Sequence, residues 1–228
     1  MASISTYVRD YGNKTFFEEP FNEIDNVVFS SLIYLNYEGI VPENRKYIRL
    51  EEAGIKYLEK YSYFEISKLG IAQKVSYQLL KQVVNTVRYK DVLMYNFKYI
   101  ADSDRQFGAV CFKVKKSFTY VAFEGTDNLL SGWKEDFELS YKFPVPAQTL
   151  AIEYINKRVR FYDKNVMVGG HSKGGNLALV SSMFAKKLIN KKIKKIYSND
   201  GPGLRKAEIE SDNYKRVRDR LIHIVPNY

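Results

Sequence analysis

The chain has 228 residues, 36 Lys and Arg against 26 Asp and Glu, a formal charge of +10, one cysteine and two histidines. With 45% hydrophobic and 15% aromatic residues it is too apolar to stay disordered, and its length suits a single domain over 1–228 with a substantial core. A lone Cys111 excludes a disulfide framework or a multi-thiolate zinc site, and His171 and His223 alone make a poor metal centre, so neither metal nor cofactor is expected.

The start, MASISTYVRDYGNKTFF, has no apolar stretch behind a basic end, so no signal peptide is expected. The most apolar window, 27–35, is half the ~18 residues a spanning helix needs. The expected location is the cytoplasm. Residues 22–37 place Ile24, Val27, Val28, Ser31, Leu32 and Leu35 on one helical face, with Asn22 as cap and Gly39 and Pro42 to end the helix. Segments 50–60 and 71–86 read as two more helices, giving a helical part over 1–90 that packs on or caps a sheet built from the remaining residues.

From Asp91 the pattern turns strand-like, at 91–100, 108–114 and, after a short Lys-Lys-Ser turn, 118–123. In the second strand Val110, Phe112 and Val114 alternate with Cys111, Lys113 and Lys115, which puts Cys111 on the wetter face as a structural thiol. Beyond Phe123 a helix over 147–162, with Leu150, Tyr154, Ile155 and Val159 inward, precedes a strand at 165–170. A helix over 174–189 and strands at 194–199 and 220–226 complete the series. Strands alternating with helices imply parallel pairing through right-handed crossovers. The expected class is α/β, a mostly parallel sheet flanked by helices with a helical N-terminal third. No repeat or Pro/Gly linker divides the chain.

The chemistry concentrates at Gly170-His171-Ser172-Lys173-Gly174, a G-x-S-x-G sequence between a predicted strand and a predicted helix. Alone the pattern is weak. In this context a serine on a tight strand-to-helix turn stands clear of the sheet edge, and the flanking Gly170 and Gly174 leave room where any Cβ collides. The alternative is a tight structural turn. Acyl transfer also needs donors for the developing oxyanion. The N–H of Lys173 is one; a second is expected on the loop FEGTD at 123–127, where Thr126 offers its N–H and hydroxyl. An ordinary polar turn is the alternative there.

FEGTD…GW…DF followed by GGHSKGGN resembles the class 3 (fungal-type) lipases, in which F-R-G-[ST] supplies the oxyanion hole and G-H-S-x-G the nucleophile. The chain is more similar still to a lipase-like α/β-hydrolase family of Gram-positive bacteria, known as a domain of unknown function. That family carries PFNE.DN, F-R-G-T-D, G-W-K-E-D-F, G-H-S-K-G-G-N and N-D-G-P-G, which stand here at 20–26, 123–127, 132–137, 170–176 and 199–203. The resemblance implies an α/β-hydrolase fold and a lipase-like serine site, without a substrate. Glu124 departs from it, standing where the family has Arg, so any ion pair made by that Arg is absent or reversed.

In α/β-hydrolases the triad follows the order Ser, acid, His. Asp200, after the strand at 194–199, is the expected acid, with a loop-capping role as the alternative. His223 is the one histidine beyond it, but it is embedded in a strand pattern and is the weaker candidate for the base. His171 is poorly placed, because adjacent side chains on an elbow point apart. The end at Tyr228 leaves no room for a closing strand and helix, so the chain is expected to be C-terminally incomplete, with its histidine beyond residue 228, or to have lost its base.

Two functions are expected. One is a serine hydrolase cleaving a small-molecule or lipid ester. The other is a degenerate hydrolase fold that binds lipid, an anionic membrane surface or a partner protein without turnover, with self-association through the sheet edge at 221–226. The run Lys186, Lys187, Lys191, Lys192, Lys194 and Lys195 reads as a solvated helix end and loop. Nucleic-acid binding rests on net charge alone, since no nucleic-acid motif accompanies it.

Overall fold

The computed structural model describes residues 4–102, 105–126 and 137–225. Asp127, the segment 132–136 and Pro226 lie outside the described residues. In chain order the elements are α1 (Ile4–Tyr11), α2 (Glu23–Leu32), β1 (Ile48–Arg49), α3 (Leu50–Lys60), α4 (Tyr63–Ser67), α5 (Ile71–Val83), β2 (Leu93–Ala101), β3 (Gln106–Val114) and β4 (Phe118–Phe123). Next come α6 (Pro146–Arg158), β5 (Val166–His171), α7 (Lys173–Met183), α8 (Lys187–Asn190), β6 (Ile193–Asn199), α9 (Lys206–Glu210), α10 (Asp212–Lys215), a 3-10 turn (Arg218–Arg220) and β7 (Leu221–Ile224).

The seven strands form one sheet in sequence order. It is mixed rather than mostly parallel: the pairings from β1 to β4 are antiparallel and those from β4 to β7 are parallel. The connections 102–105 and 115–117 are too short for a crossover, so β2, β3 and β4 can only fold back as hairpins. Lys116 takes φ 62° in the second turn. Helices α6 and α7 provide the crossovers that set β4, β5 and β6 parallel.

A core lies on each face of the sheet. Phe29, Phe112, Phe118 and Tyr120 fill the side under the N-terminal helices, whereas Phe107, Phe123, Tyr154, Val168 and Leu177 fill the side under α6 and α7. Both faces of β3 are therefore dry, and Cys111 is buried rather than on a wet face. Tyr154 from α6 covers it, with Oη 3.4 Å from Sγ, and burial pushes the thiol up to about 11.

Helix α2 starts where expected, because Asn22 and Asp25 form a reciprocal capping box. It ends at Leu32, well before Gly39, and its buried face is only partly the expected one: Val28, Leu32 and, beyond the helix, Leu35 are buried as expected. Asp25, Asn26, Phe29 and Ser30 point inward, while Ile24 is exposed and Val27 and Ser31 are half-buried. Polar partners explain the polar residues buried beside Val28 and Leu32. Asp25 accepts from Arg88 Nε at 2.7 Å and from Tyr89 Oη at 2.6 Å. Asn26 donates to Asn199 at 2.7 Å and accepts from Tyr120 at 2.6 Å. A buried polar group with all its partners costs far less than one without, and hydrophobic periodicity cannot register that.

The helix expected over 174–189 breaks into α7 and α8. The basic run around α8 is mostly exposed, at the amino end of β6, opposite the sheet edge that carries Ser172. Strand β7 is the outermost strand beyond β6. Among the described residues no helix is long and apolar enough to cross a membrane.

Candidate active site

Strand β5 ends at His171 and α7 begins at Lys173, leaving Ser172 alone in the turn with φ 53° and ψ −129°. A non-glycine residue in this region stores backbone strain and persists only where its surroundings fix it. Here the Ser172 N–H donates to the Asn199 carbonyl at 2.9 Å, and the Ser172 carbonyl accepts from Gly175 N–H at 2.9 Å. Gly170 and Gly174 let the end of β4 press against the turn: a Cβ at either would run into the Phe123 carbonyl oxygen. A strained strand-to-helix turn thus stands where the elbow was expected, and close approach requires both glycines.

The side chain of Lys173 points away from the site and is fully buried. Its Nζ donates to the Gln106 carbonyl at 3.1 Å and to Gln106 Oε1 at 2.6 Å. Gln106 Nε2 donates in turn to Glu124 Oε2 at 3.1 Å and to the Gly125 carbonyl at 3.2 Å. The departure at Glu124 thereby acquires a counter-charge, with Lys173 answering the carboxylate through one amide. The same amide ties the residue after Ser172 to the loop that leads into Thr126.

Thr126 is half-buried and lines, with Ser172, His171, Tyr34 and residues of α2 and α5, a cavity of about 760 Å³. The structure thus brings Ser172 and Thr126 to one opening. The Ser172 hydroxyl makes no side-chain hydrogen bond to another described residue.

His171 lines this cavity too, with Nδ1 3.0 Å from Tyr34 Oη. Although the residue as a whole is exposed, its ring lies against the cavity wall, and lost solvation lowers its pKa from the usual 6.5. The Asp200 carboxylate opposes that shift. Asp200 follows β6 at the same sheet edge as Ser172, with φ 49° and its N–H donated to the Ile224 carbonyl at 2.7 Å. Its exposed carboxylate forms no hydrogen bond to a described residue. His223 pairs with Ser198 inside β7, is exposed, lines no part of the Ser172 cavity and has no side-chain hydrogen bond to a described residue.

Three residues of the site are not candidates from the sequence. Tyr34 follows α2 and holds His171, Gln106 bridges Lys173 and Glu124, and Asn199 accepts the Ser172 N–H. Of these, Asn199 alone stands inside a family motif. A polar Gln106 opening an otherwise apolar strand is the faint signal for the second, and nothing in the sequence marks Tyr34.

Among curated proteins none matches the chain. The crystal structure of M37 lipase aligns at 12% identity with a TM-score of 0.45, over 90% of this chain and 67% of that one. The family model described as Mbeg1-like matches residues 83–228, a span from the end of α5 that takes in Thr126, His171, Ser172 and Asp200 but not Tyr34 or the parts of α2 and α5 that line the cavity. With well over half its length matched, the chain belongs to the Mbeg1-like family.

Proposed function

We propose that the protein is a lipase-like serine hydrolase that cleaves an ester through an acyl-enzyme on Ser172. The observation that carries this reading is the strained turn, which sets Ser172 in the lining of a 760 Å³ cavity. In the reaction Ser172 Oγ attacks the ester carbonyl carbon as its proton passes to a base. The carbonyl oxygen takes the negative charge, facing the N–H of Lys173 and the N–H and hydroxyl of Thr126. Collapse expels the alcohol, which takes the proton, and water then releases the acid by the same steps. Asp200 is the acid that orients the base in this reading. The chain's two histidines, His171 and His223, are both described and neither meets the Ser172 hydroxyl, so this reading leaves the base unassigned. The apolar rim supports an acyl substrate: Leu69, Ile71 and Val75 are 48%, 79% and 53% exposed beside the opening.

One observation favours a second reading, a binding module without turnover: the Ser172 hydroxyl has no described side chain to take its proton. Loss of general acid–base catalysis removes roughly 10²–10⁴ in rate. Turnover of p-nitrophenyl butyrate that disappears in Ser172→Ala supports the hydrolase. Equal rates for the two folded proteins support the binding module.

A further inference from the structure

A second cavity, of about 470 Å³, adjoins the one at Ser172, and the two share Tyr34, Leu69 and Gly70 as a common wall. Their linings differ in chemistry. Val27, Ile71, Ala72 and Val75 give the first an aliphatic stretch, with Ser31, Lys74 and Ser76 among them. The second is walled by Tyr57, Tyr61 and Tyr99 together with Asn36 and Gln73, and it reaches Glu124, two residues before Thr126.

Resting on the hydrolase reading above, we propose that the second chamber receives the alcohol portion of the ester and that this portion is a neutral, hydroxyl-bearing ring of the sugar type, the acyl chain lying along the aliphatic side. The two substituents of an ester carbonyl diverge from one carbon. With its oxygen at Thr126 and Lys173 N–H, the adjoining cavities offer one direction to each. Tyrosine rings present flat apolar faces to the C–H faces of a saturated ring, and their hydroxyls exchange hydrogen bonds with its rim. Gln73 Oε1 is buried with no hydrogen-bond partner, an acceptor that a ligand hydroxyl satisfies. Charge argues for a neutral ligand. Glu65 and Lys68 at the wall are of opposite sign, and Glu124 is already answered by Lys173 through Gln106. The volume lies within the ~300–1,000 Å³ range of small-ligand pockets.

The test separates binding from catalysis by using the full chain carrying Ser172→Ala. It is titrated calorimetrically with glucose 6-butyrate and with hexyl butyrate, which share an acyl group. The glucose ester is expected to bind at least about tenfold more tightly, and Gln73→Leu or Tyr61→Phe in the same background to erase most of that preference. Tyr61→Phe keeps the ring, so a loss of preference there is a loss of hydrogen bonding rather than of packing; circular dichroism checks that both variants are folded. Equal affinity for the two esters, no binding of either, or a preference untouched by both variants overturns the proposal. Fluorophosphonate labelling of the wild-type serine reports separately on the hydrolase reading, so each can fail alone.

Discussion

At Ser172 the backbone, more than the side chain, carries the functional argument. The turn is held by the Asn199 carbonyl on one side and by the close approach of Phe123 on the other, so a methyl group at Gly174 must displace backbone atoms. Gly174→Ala is expected to destabilise the fold by about 1–3 kcal/mol and to abolish acylation of Ser172 even under conditions where the protein stays folded; urea unfolding and labelling read the two effects. Gln106→Leu removes the amide that joins a buried ammonium to a buried carboxylate. About 2–3 kcal/mol of stability should go with it, seen as a lower urea midpoint, and Gln106→Glu, which keeps an acceptor for Lys173 but sets a second carboxylate against Glu124 and the Gly125 carbonyl, is not expected to recover it. His171 titrates below 6.5, and Asp200→Asn, by removing the carboxylate that opposes the shift, lowers it further; an NMR titration of the ring checks both. The unfolded chain takes up this proton first. Stability linked to His171 is therefore intact above about pH 6.5 and declines as the pH falls towards the folded midpoint. The turn at Ser172 and the positions of Thr126 and Asp200 near it were legible because glycines and spacing encode a backbone shape; their catalytic roles belong to the proposal. Tyr34 and Gln106 were not, since their roles depend on partners 137 and 67 positions away.

Among the elements, α2 matters most, because it faces the sheet with one side and the cavity with the other. Its apolar spacing singled out Ile24, Val27, Val28, Ser31, Leu32 and Leu35 as the core face; Val28, Leu32 and Leu35 are buried, whereas Ile24 is exposed and Val27 and Ser31 line the opening beside Ser172. The buried face also holds Asp25, Asn26 and Ser30, satisfied by Arg88, Tyr120 and Asn199. The N-terminal helices both pack on the sheet and wall the site, two roles that the sequence left as alternatives. Arg88→Ala leaves the Asp25 carboxylate buried without its cation and is expected to cost about 3–5 kcal/mol. Arg88→Lys keeps the charge but not both bonds made by the guanidinium, and should fall between that variant and wild type in a thermal melt.

Across the whole molecule the sheet changes character at β4, antiparallel before it and parallel after it, and Ser172 and Asp200 stand at the carboxyl ends of the parallel strands β5 and β6. Alternation of strands and helices predicted that second half; the short connections 102–105 and 115–117 already contained the hairpins of the first. The basic run sits at the opposite end of the sheet, so the largest local concentration of positive charge does not border the cavity. Replacing Lys187, Lys191 and Lys194 by Gln should weaken any sedimentation with anionic vesicles, which added salt also weakens, and leave Ser172 chemistry unchanged. The most direct measurement of the central claim is reaction of the intact, folded chain with a fluorophosphonate, followed by mass mapping of the adduct. A single adduct on the peptide bearing Ser172, absent from Ser172→Ala and weakened in Thr126→Val, is the expected result. A folded wild-type protein that stays unmodified, or that is modified at another serine, contradicts it.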